Sequence, residues 1–134
     1  MTNLTDVTLL FPVPELTDVP TRPGMRARTL IGDEQGFTTL FLSEMLMQPG
    51  AAIPLHTHPT EEAFVVTQGE LAIQLGDDTL LAEADSVVRI PPGVPHAVHN
   101  DSSGPARAYA AAAWDRATWF TAATTYLEGR PRED

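Results

Sequence analysis

The sequence predicts an all-β domain, a sandwich or barrel of short strands, followed by one C-terminal α-helix. Short runs of β-branched and apolar residues recur at intervals of roughly 8–12 residues, which is typical of such folds. Turn signals separate these runs, as in GDEQG (32–36), QPG (48–50) and DSSGP (101–105). The length of 134 residues suits a single domain.

The predicted barrel occupies residues 25–114. Strands are predicted within it over 25–31, 37–47, 62–67, 71–75, 79–82, 86–90, 96–100 and 106–114. The last of these segments, ARAYAAAAW, is rich in alanine and is therefore compatible with a helix. Its position between turn signals, in the rhythm of a hairpin, favours a strand.

An extended N-terminal arm is predicted over residues 1–24. This segment contains Pro12, Pro14, Pro20 and Pro23. Prolines exclude a helix and prevent pairing in a central strand. Such an arm either wraps its own domain or lies on a partner subunit, and both alternatives remain open from the sequence.

Residues 115–134 are predicted to form a helix and a tail. Asp115 suits the N-cap of a helix from Arg116 to about Leu127, and Gly129 suits its end. Apolar residues at helical spacing predict that this helix packs on the outside of the barrel.

The composition narrows the classes of partner. The chain has 18 acidic and 8 basic residues, a net charge of −10, which argues against binding nucleic acid or an anionic membrane surface. The absence of cysteine excludes disulfides and thiolate sites, and the absence of lysine excludes a Schiff base. Neither a signal peptide nor an apolar stretch of about 18 residues is evident, so we predict a cytoplasmic protein with a small-molecule partner.

A cluster of potential metal ligands lies in GAAIPLHTHPTEEAFVVTQG (50–69). His56 and His58 would point to the same face of a strand, and Glu62 follows four residues later. Imidazole and carboxylate ligands together suit Fe, Mn, Co, Ni or Zn. The alternative is a surface loop with two solvated histidines. A third histidine, His96, follows the rigid Pro-Pro-Gly turn at 91–93 and begins a predicted strand.

These spacings are similar to the two conserved motifs of the cupin superfamily. The first motif matches at Gly50, His56, His58, Glu62 and Gly69, and the second at Pro91, Gly93, His96 and Asn100. One position departs from the family, since Asp85 stands where the second motif usually has glycine. Aspartate can adopt the positive φ that such a turn often needs, at some cost.

The resemblance implies a double-stranded β-helix, a jelly-roll-like barrel with one open end. It also implies that His56, His58, Glu62 and His96 hold one divalent metal ion, Fe or Mn first, with Ni, Co or Zn as alternatives. Two coordination positions would remain for water, dioxygen or a chelating substrate. Because cupins usually pair, a homodimer is expected.

Neighbouring residues are assigned by strand parity. Phe64, Val66 and Val98 share parity with the predicted ligands and are expected to line the substrate pocket. Glu61 is expected to be solvated, although an irregular turn would let it replace Glu62 as a ligand. His99 is expected to face out of the barrel wall.

The resemblance implies a mononuclear non-heme metal enzyme acting on a small enolic or phenolic substrate, of dioxygenase type. Glu62 would stay a ligand or detach and act as the catalytic base. One alternative is a polyketide cyclase-type cupin that does not use oxygen. A second alternative, from a different class, is a non-catalytic small-molecule binding or sensory cupin.

Overall fold

The fold is almost entirely β-structure. The computed structural model describes residues 8–113 and 124–127. The strands of this part are β1 (Asp18–Arg22), β2 (Met25–Ile31), β3 (Phe41–Met47), β4 (Ala52–Thr57), β5 (Glu62–Gln68), β6 (Glu70–Leu75), β7 (Asp78–Glu83), β8 (Ser86–Ile90), β9 (His96–His99), β10 (Ala106–Ala112) and β11 (Thr125–Tyr126). Two short 3-10 helices, Val13–Glu15 and Asp33–Gln35, accompany them. The all-β prediction is confirmed.

The strands form two antiparallel sheets. One has the order β1-β2-β3-β10-β5-β8 and the other the order β11-β4-β9-β6-β7. The alanine-rich strand β10 lies in the middle of the first sheet, paired with β3 and β5. Its strand prediction is therefore correct, because partners on both edges outweigh the helical preference of alanine.

The hydrophobic core lies between the two sheets. Phe64 and Val66 of the first sheet join Leu71, Ile73 and Val98 of the second in one buried cluster. Each is at most 1% exposed. Burying a side chain of this size contributes about 1.5–3 kcal/mol relative to leaving it in water, so this shared interior holds the sheets face to face.

The first sheet begins within the predicted N-terminal arm. Strand β1 (Asp18–Arg22) pairs antiparallel with β2 and forms the edge of the sheet. Pro20 is tolerated there because an edge strand has one side without a hydrogen-bonding neighbour. The pairing register shifts between Pro20 and Arg22, a local irregularity around Thr21.

The predicted C-terminal helix is not supported. Its last turn is instead strand β11, in which Thr125 pairs with Thr57 and Tyr126 pairs with His56. A β-branched and an aromatic residue favour this strand, and the free edge of β4 supplies the partner. Residues 116–123 of the predicted helix lie outside the described residues. In the part of the chain that the structure describes, no helix is long and apolar enough to cross a membrane.

Two positions of the conserved motifs shape the turns beside the site. Asp85 has φ of 68°, so aspartate takes the left-handed conformation expected where the family has glycine. Asn100 is 1% exposed, and its side-chain amide donates to the carbonyls of Met47 and Gly104, each at 2.9 Å. Its oxygen accepts hydrogen bonds from Ser102. Asn100 therefore closes a loop and is not a ligand residue.

Candidate metal centre

The four predicted ligand residues lie together between the two sheets. His56 of β4 pairs with His96 of β9, and His58 follows the end of β4. Glu62 begins β5 in the opposite sheet. All four are buried, with exposures between 2% and 7%. His56 and His96 are 40 positions apart in the chain, yet they lie next to each other because β4 pairs with β9. Glu62 of β5 faces them from the opposite sheet.

The three imidazoles form a compact group. Ring centroids are 4.9 Å apart for His56 and His58, and 4.1 Å apart for His56 and His96. The third pair is 5.3 Å apart, and one ring nitrogen from each histidine lies within 4.8 Å of the others. Oε2 of Glu62 lies 3.1 Å from Nε2 of His96 and 3.7 Å from Nε2 of His58.

Backbone carbonyls orient two of the rings. Nδ1 of His56 donates to the carbonyl of Pro54 at 2.7 Å, and Nδ1 of His96 donates to the carbonyl of Val94 at 2.9 Å. A carbonyl can only accept, so Nδ1 carries the proton in both rings. Nε2 is then the nitrogen left for a ligand, as in metal sites where the second ring nitrogen fixes the tautomer.

The third ring is held by a side chain. Nδ1 of His58 lies 2.9 Å from Oγ1 of Thr124, the residue that precedes β11. In the tautomer whose Nδ1 donates to this hydroxyl, Nε2 is left as a ligand nitrogen on the side of the ring that faces Glu62. The three histidines therefore present equivalent nitrogens to the same region, which is the arrangement that metal coordination requires.

The electrostatics favour neutral imidazoles at two positions. Burial, together with the neighbouring His96, lowers the pKa of His56 from 6.5 to about 4. Burial and the two nearby rings lower the pKa of His58 to about 2. Neutral imidazole is the form that binds metal, so both rings are ready to ligate at neutral pH.

His96 behaves differently because Glu62 is its partner. Burial alone would lower its pKa, but the hydrogen bond to Glu62 and the charge of that carboxylate outweigh burial and raise the pKa above 6.5. A metal cation at the site would compete with the proton that His96 shares with Glu62. Three imidazole nitrogens and one carboxylate oxygen fit a first-row divalent ion, and this donor set does not distinguish among such ions.

A mostly apolar cavity opens beside the four residues. Its apolar lining is Met25, Phe41, Met45, Ile53, Phe64, Val98 and Ala110. Phe64 and Val98, two of the predicted pocket residues, lie in this lining. Val66, the third, lies in the core at 0% exposure and is not part of the described lining. Along β5 the inward positions run from Glu62 through Phe64 to Val66, and only the first two reach the cavity.

Residues from both ends of the chain also reach the cavity. The guanidinium of Arg22 donates to Oη of Tyr126 at 3.2 Å and lies 5.5 Å from the centre of its ring. Both residues line the cavity with Thr124. Sequence reasoning missed them because it placed Arg22 in the arm and Tyr126 in a helix. The run Thr124-Thr125-Tyr126 is a short strand signal that could have indicated β11.

The two residues weighed as alternatives point elsewhere. Glu61 is exposed and lies 3.8 Å from the exposed Arg89 in an ion pair. His99 is half-buried at the end of β9, where its backbone pairs with Ala52 and Ala72. Its parity is opposite to that of His96, so it is turned away from the cluster.

Known proteins match both the sequence and the fold. The family described as cupin domain matches residues 43–112. A polyketide synthase protein, CurC of Streptomyces cyaneus, is 36% identical over 73 residues, which are 54% of this chain and 47% of that protein. The chain thus aligns with only about half the length of this curated relative.

Solved structures share the whole architecture at low identity. The polyketide cyclase RemF from Streptomyces resistomycificus is 19% identical with a TM-score of 0.75, and the match covers 92% of this chain and 88% of that one. A double-stranded β-helix protein from Klebsiella pneumoniae is 18% identical with a TM-score of 0.69, covering 91% and 99%. At such identity these two matches show the fold. With its two-sheet barrel and a family match spanning more than half of its length, this chain belongs to the cupin family.

Proposed function

We propose that this chain is a metal-dependent cupin enzyme of the polyketide cyclase type, acting on an enolic or phenolic small molecule. The observation that carries the proposal is the buried group His56, His58, His96 and Glu62 at the wall of an apolar cavity. The similarity to CurC and RemF supports the polyketide class of substrate.

The four residues would hold one divalent ion, with Fe or Mn first and Ni, Co or Zn as alternatives. A bound ion supplies Lewis acidity, which favours the ionised form of an enol or phenol oxygen. The chain itself orients the three imidazole rings through hydrogen bonds to Pro54, Val94 and Thr124. The apolar walls exclude water, which strengthens electrostatic interactions at the site.

Glu62 is the proposed catalytic base. Its carboxylate would take a proton from a carbon that lies between two carbonyl groups of the substrate. The resulting carbanion attacks a second carbonyl carbon of the same molecule, a carbon–carbon bond forms, and the new alkoxide takes the proton back. The new carbon–carbon bond closes the ring, loss of water then introduces a double bond into it, and no oxidant is consumed. The position of the carboxylate supports this role, since it is buried at the cavity wall, 3.1 Å from Nε2 of His96.

The dioxygenase-type activity and the non-catalytic binding module would use the same site. Turnover of a linear poly-β-ketone under strict anaerobiosis supports the cyclase. Turnover only with dioxygen, with oxygen consumed in proportion, supports the dioxygenase instead. Stoichiometric binding without turnover under either condition favours the binding module.

The metal site is tested by metal analysis of His58→Ala and His96→Ala, with His99→Ala as the matched control. We expect wild type and the control to retain one ion per chain and the two ligand variants to lose it. Full occupancy in both ligand variants would end the proposal.

The role of Glu62 is tested with an adjacent pair of isosteric changes. Glu62→Gln removes the base and should lower kcat by about 100-fold or more, the usual contribution of a positioned base. Glu61→Gln changes the same charge on an exposed side chain and should leave kcat unchanged. Equal kcat in wild type and Glu62→Gln would remove Glu62 from the mechanism.

We also propose a homodimer. Leu40 and Val87 are 52% and 70% exposed, and they line one surface pocket with Ala63 and Ala111, beside the exposed ion pair of Glu61 and Arg89. Exposed apolar patches of this kind are typical of protein contacts. Light scattering that gives the mass of a monomer at micromolar concentration would contradict this proposal.

A further inference from the structure

Two hydroxyl groups in the cavity lining have no hydrogen-bond partner among the residues that the structure describes. Thr21 is 1% exposed and Ser43 is 2% exposed, and both line the cavity that contains the candidate metal ligands. Oγ1 of Thr21 and Oγ of Ser43 are buried, and neither makes a hydrogen bond to another described residue. Buried hydroxyls normally have a hydrogen-bond partner in the protein. Burial removes their hydrogen bonds to water, and leaving these unreplaced is energetically unfavourable.

Ser43 interrupts an otherwise apolar face. The inward residues of β3 are Phe41, Ser43, Met45 and Met47. Across the sheet, Ser43 pairs with Ala110, which in turn pairs with Phe64. Ser43, Ala110 and Phe64 all line the cavity, and the small methyl group of Ala110 leaves space beside the serine. A purely structural core would place an apolar residue at this position.

Thr21 reaches the cavity through an irregularity of β1. Consecutive residues of a regular strand point to opposite faces, yet Thr21 and Arg22 both line the cavity. The pairing register of β1 with β2 shifts between Pro20 and Arg22, so this stretch is not a regular strand. Irregularities of this kind redirect side chains and are frequent next to active sites.

We infer that Thr21 and Ser43 are specificity-determining residues that form hydrogen bonds with oxygen atoms of the substrate. The inference rests on the proposed function and adds to it. The ligand would place one oxygen at the metal group and carry further hydroxyl or carbonyl oxygens on a flat apolar body that contacts Phe41, Phe64 and Val98. A hydroxylated aromatic ketone has this chemistry, whereas a plain hydrocarbon ring with one chelating edge does not.

Two compounds test the inference on metal-reconstituted protein. 2-Hydroxyacetophenone and 2,4,6-trihydroxyacetophenone share the same chelating hydroxy-ketone edge, and the second carries two more hydroxyls. We expect wild type to bind the trihydroxy compound more tightly. Ser43→Ala and Thr21→Val each remove one hydroxyl with little change of volume, and each should reduce this preference by about 3- to 10-fold. Thr67→Val, an exposed position outside the cavity lining, is the control and should leave the preference unchanged.

Thermal unfolding of the ligand-free variants gives an independent readout. Removing an unpaired buried hydroxyl should raise the melting temperature by about 2–6 °C. A melting temperature lowered by a similar amount would mean that the hydroxyls have structural partners, and this overturns the inference. An unchanged preference in both variants overturns it as well, while leaving the proposed function standing. Failure of both compounds to bind the wild type overturns the inference, whereas the proposed function is decided by turnover of the linear poly-β-ketone.

Discussion

The ring of Tyr126 lies against the imidazole of His56, with ring centroids 5.6 Å apart and the two planes at 34°. Tyr126 belongs to the short strand β11, which is joined to β4 by backbone pairing at the same residue. Its hydroxyl accepts a hydrogen bond from Arg22 of β1. One side chain from the C-terminal segment therefore connects an edge strand of the opposite sheet to the candidate metal centre.

Tyr126 should support the metal affinity through its ring. We expect Tyr126→Ala to weaken metal binding by about tenfold, because residues behind metal ligands typically contribute this much by holding them in place. Tyr126→Phe keeps the ring and removes only the hydrogen bond from Arg22, so its metal affinity should stay close to the wild-type value. Competition titration with a chelator measures both. Equal losses in the two variants would assign the effect to the hydroxyl instead.

Thr124 should orient His58 through its hydroxyl. Its Oγ1 lies 2.9 Å from Nδ1 of His58. We expect Thr124→Val, which keeps the shape and removes the hydroxyl, to lower the metal affinity by about 10- to 100-fold. Thr124→Ser keeps the hydroxyl and should restore most of the affinity. If Thr124→Val binds metal as tightly as wild type, this contact does not position the ring.

The stability of the metal-free protein should fall on acidification. Folding lowers the pKa of His56 to about 4, whereas in the unfolded chain the value is 6.5. Between these values the unfolded chain binds more protons at this histidine than the folded chain does. The contribution of His56 to the free energy of unfolding is therefore complete above pH 6.5 and decreases as the pH falls toward 4. The raised pKa of His96 acts in the opposite sense, since its contribution is present below pH 6.5 and decreases as the pH rises above that value.

Denaturant unfolding at several pH values checks this linkage. We expect His56→Gln to reduce the slope of unfolding free energy against pH by about 1.4 kcal/mol per unit between pH 4 and 6.5, which corresponds to one proton. Glutamine can still donate to the carbonyl that His56 contacts. The same slope in wild type and variant would show that His56 is not held neutral by the fold.

The turn between β5 and β6 should require glycine at position 69 for stability. The φ of Gly69 is 73°, and a Cβ atom at this position would lie 2.4 Å from the carbonyl oxygen of Pro105. We expect Gly69→Ala to lower the free energy of unfolding by about 2–5 kcal/mol through strain and overlap. Gly76→Ala is the matched control, since Gly76 has φ of 58° but nothing within 4 Å of its Cβ, and should cost only about 1–2 kcal/mol. An equal loss of unfolding free energy in the two variants would show that overlap with Pro105 contributes nothing.

Much of the fold could be predicted because its signals are local. Strand β2 (Met25–Ile31) and strand β8 (Ser86–Ile90) occupy the predicted segments, since alternation and turn residues mark their ends. The left-handed Asp85 was also predictable, because few residue types other than glycine tolerate that conformation. The predicted helix failed where a long-range contact decided the outcome, since β11 depends on the free edge of β4.

The four candidate ligand residues and the kind of barrel could be predicted because two short motifs of the sequence resemble those of the cupin superfamily. His56 and His58 lie two residues apart at the end of β4, and Glu62 and His96 each begin a strand directly after a turn, so short stretches of chain carry this information. The packing of the two sheets brings Arg22, Thr124 and Tyr126 to the site and keeps Val66 out of the cavity lining. Arg22 and Tyr126 are 104 residues apart, and no local pattern reports a contact that depends on how two sheets pack.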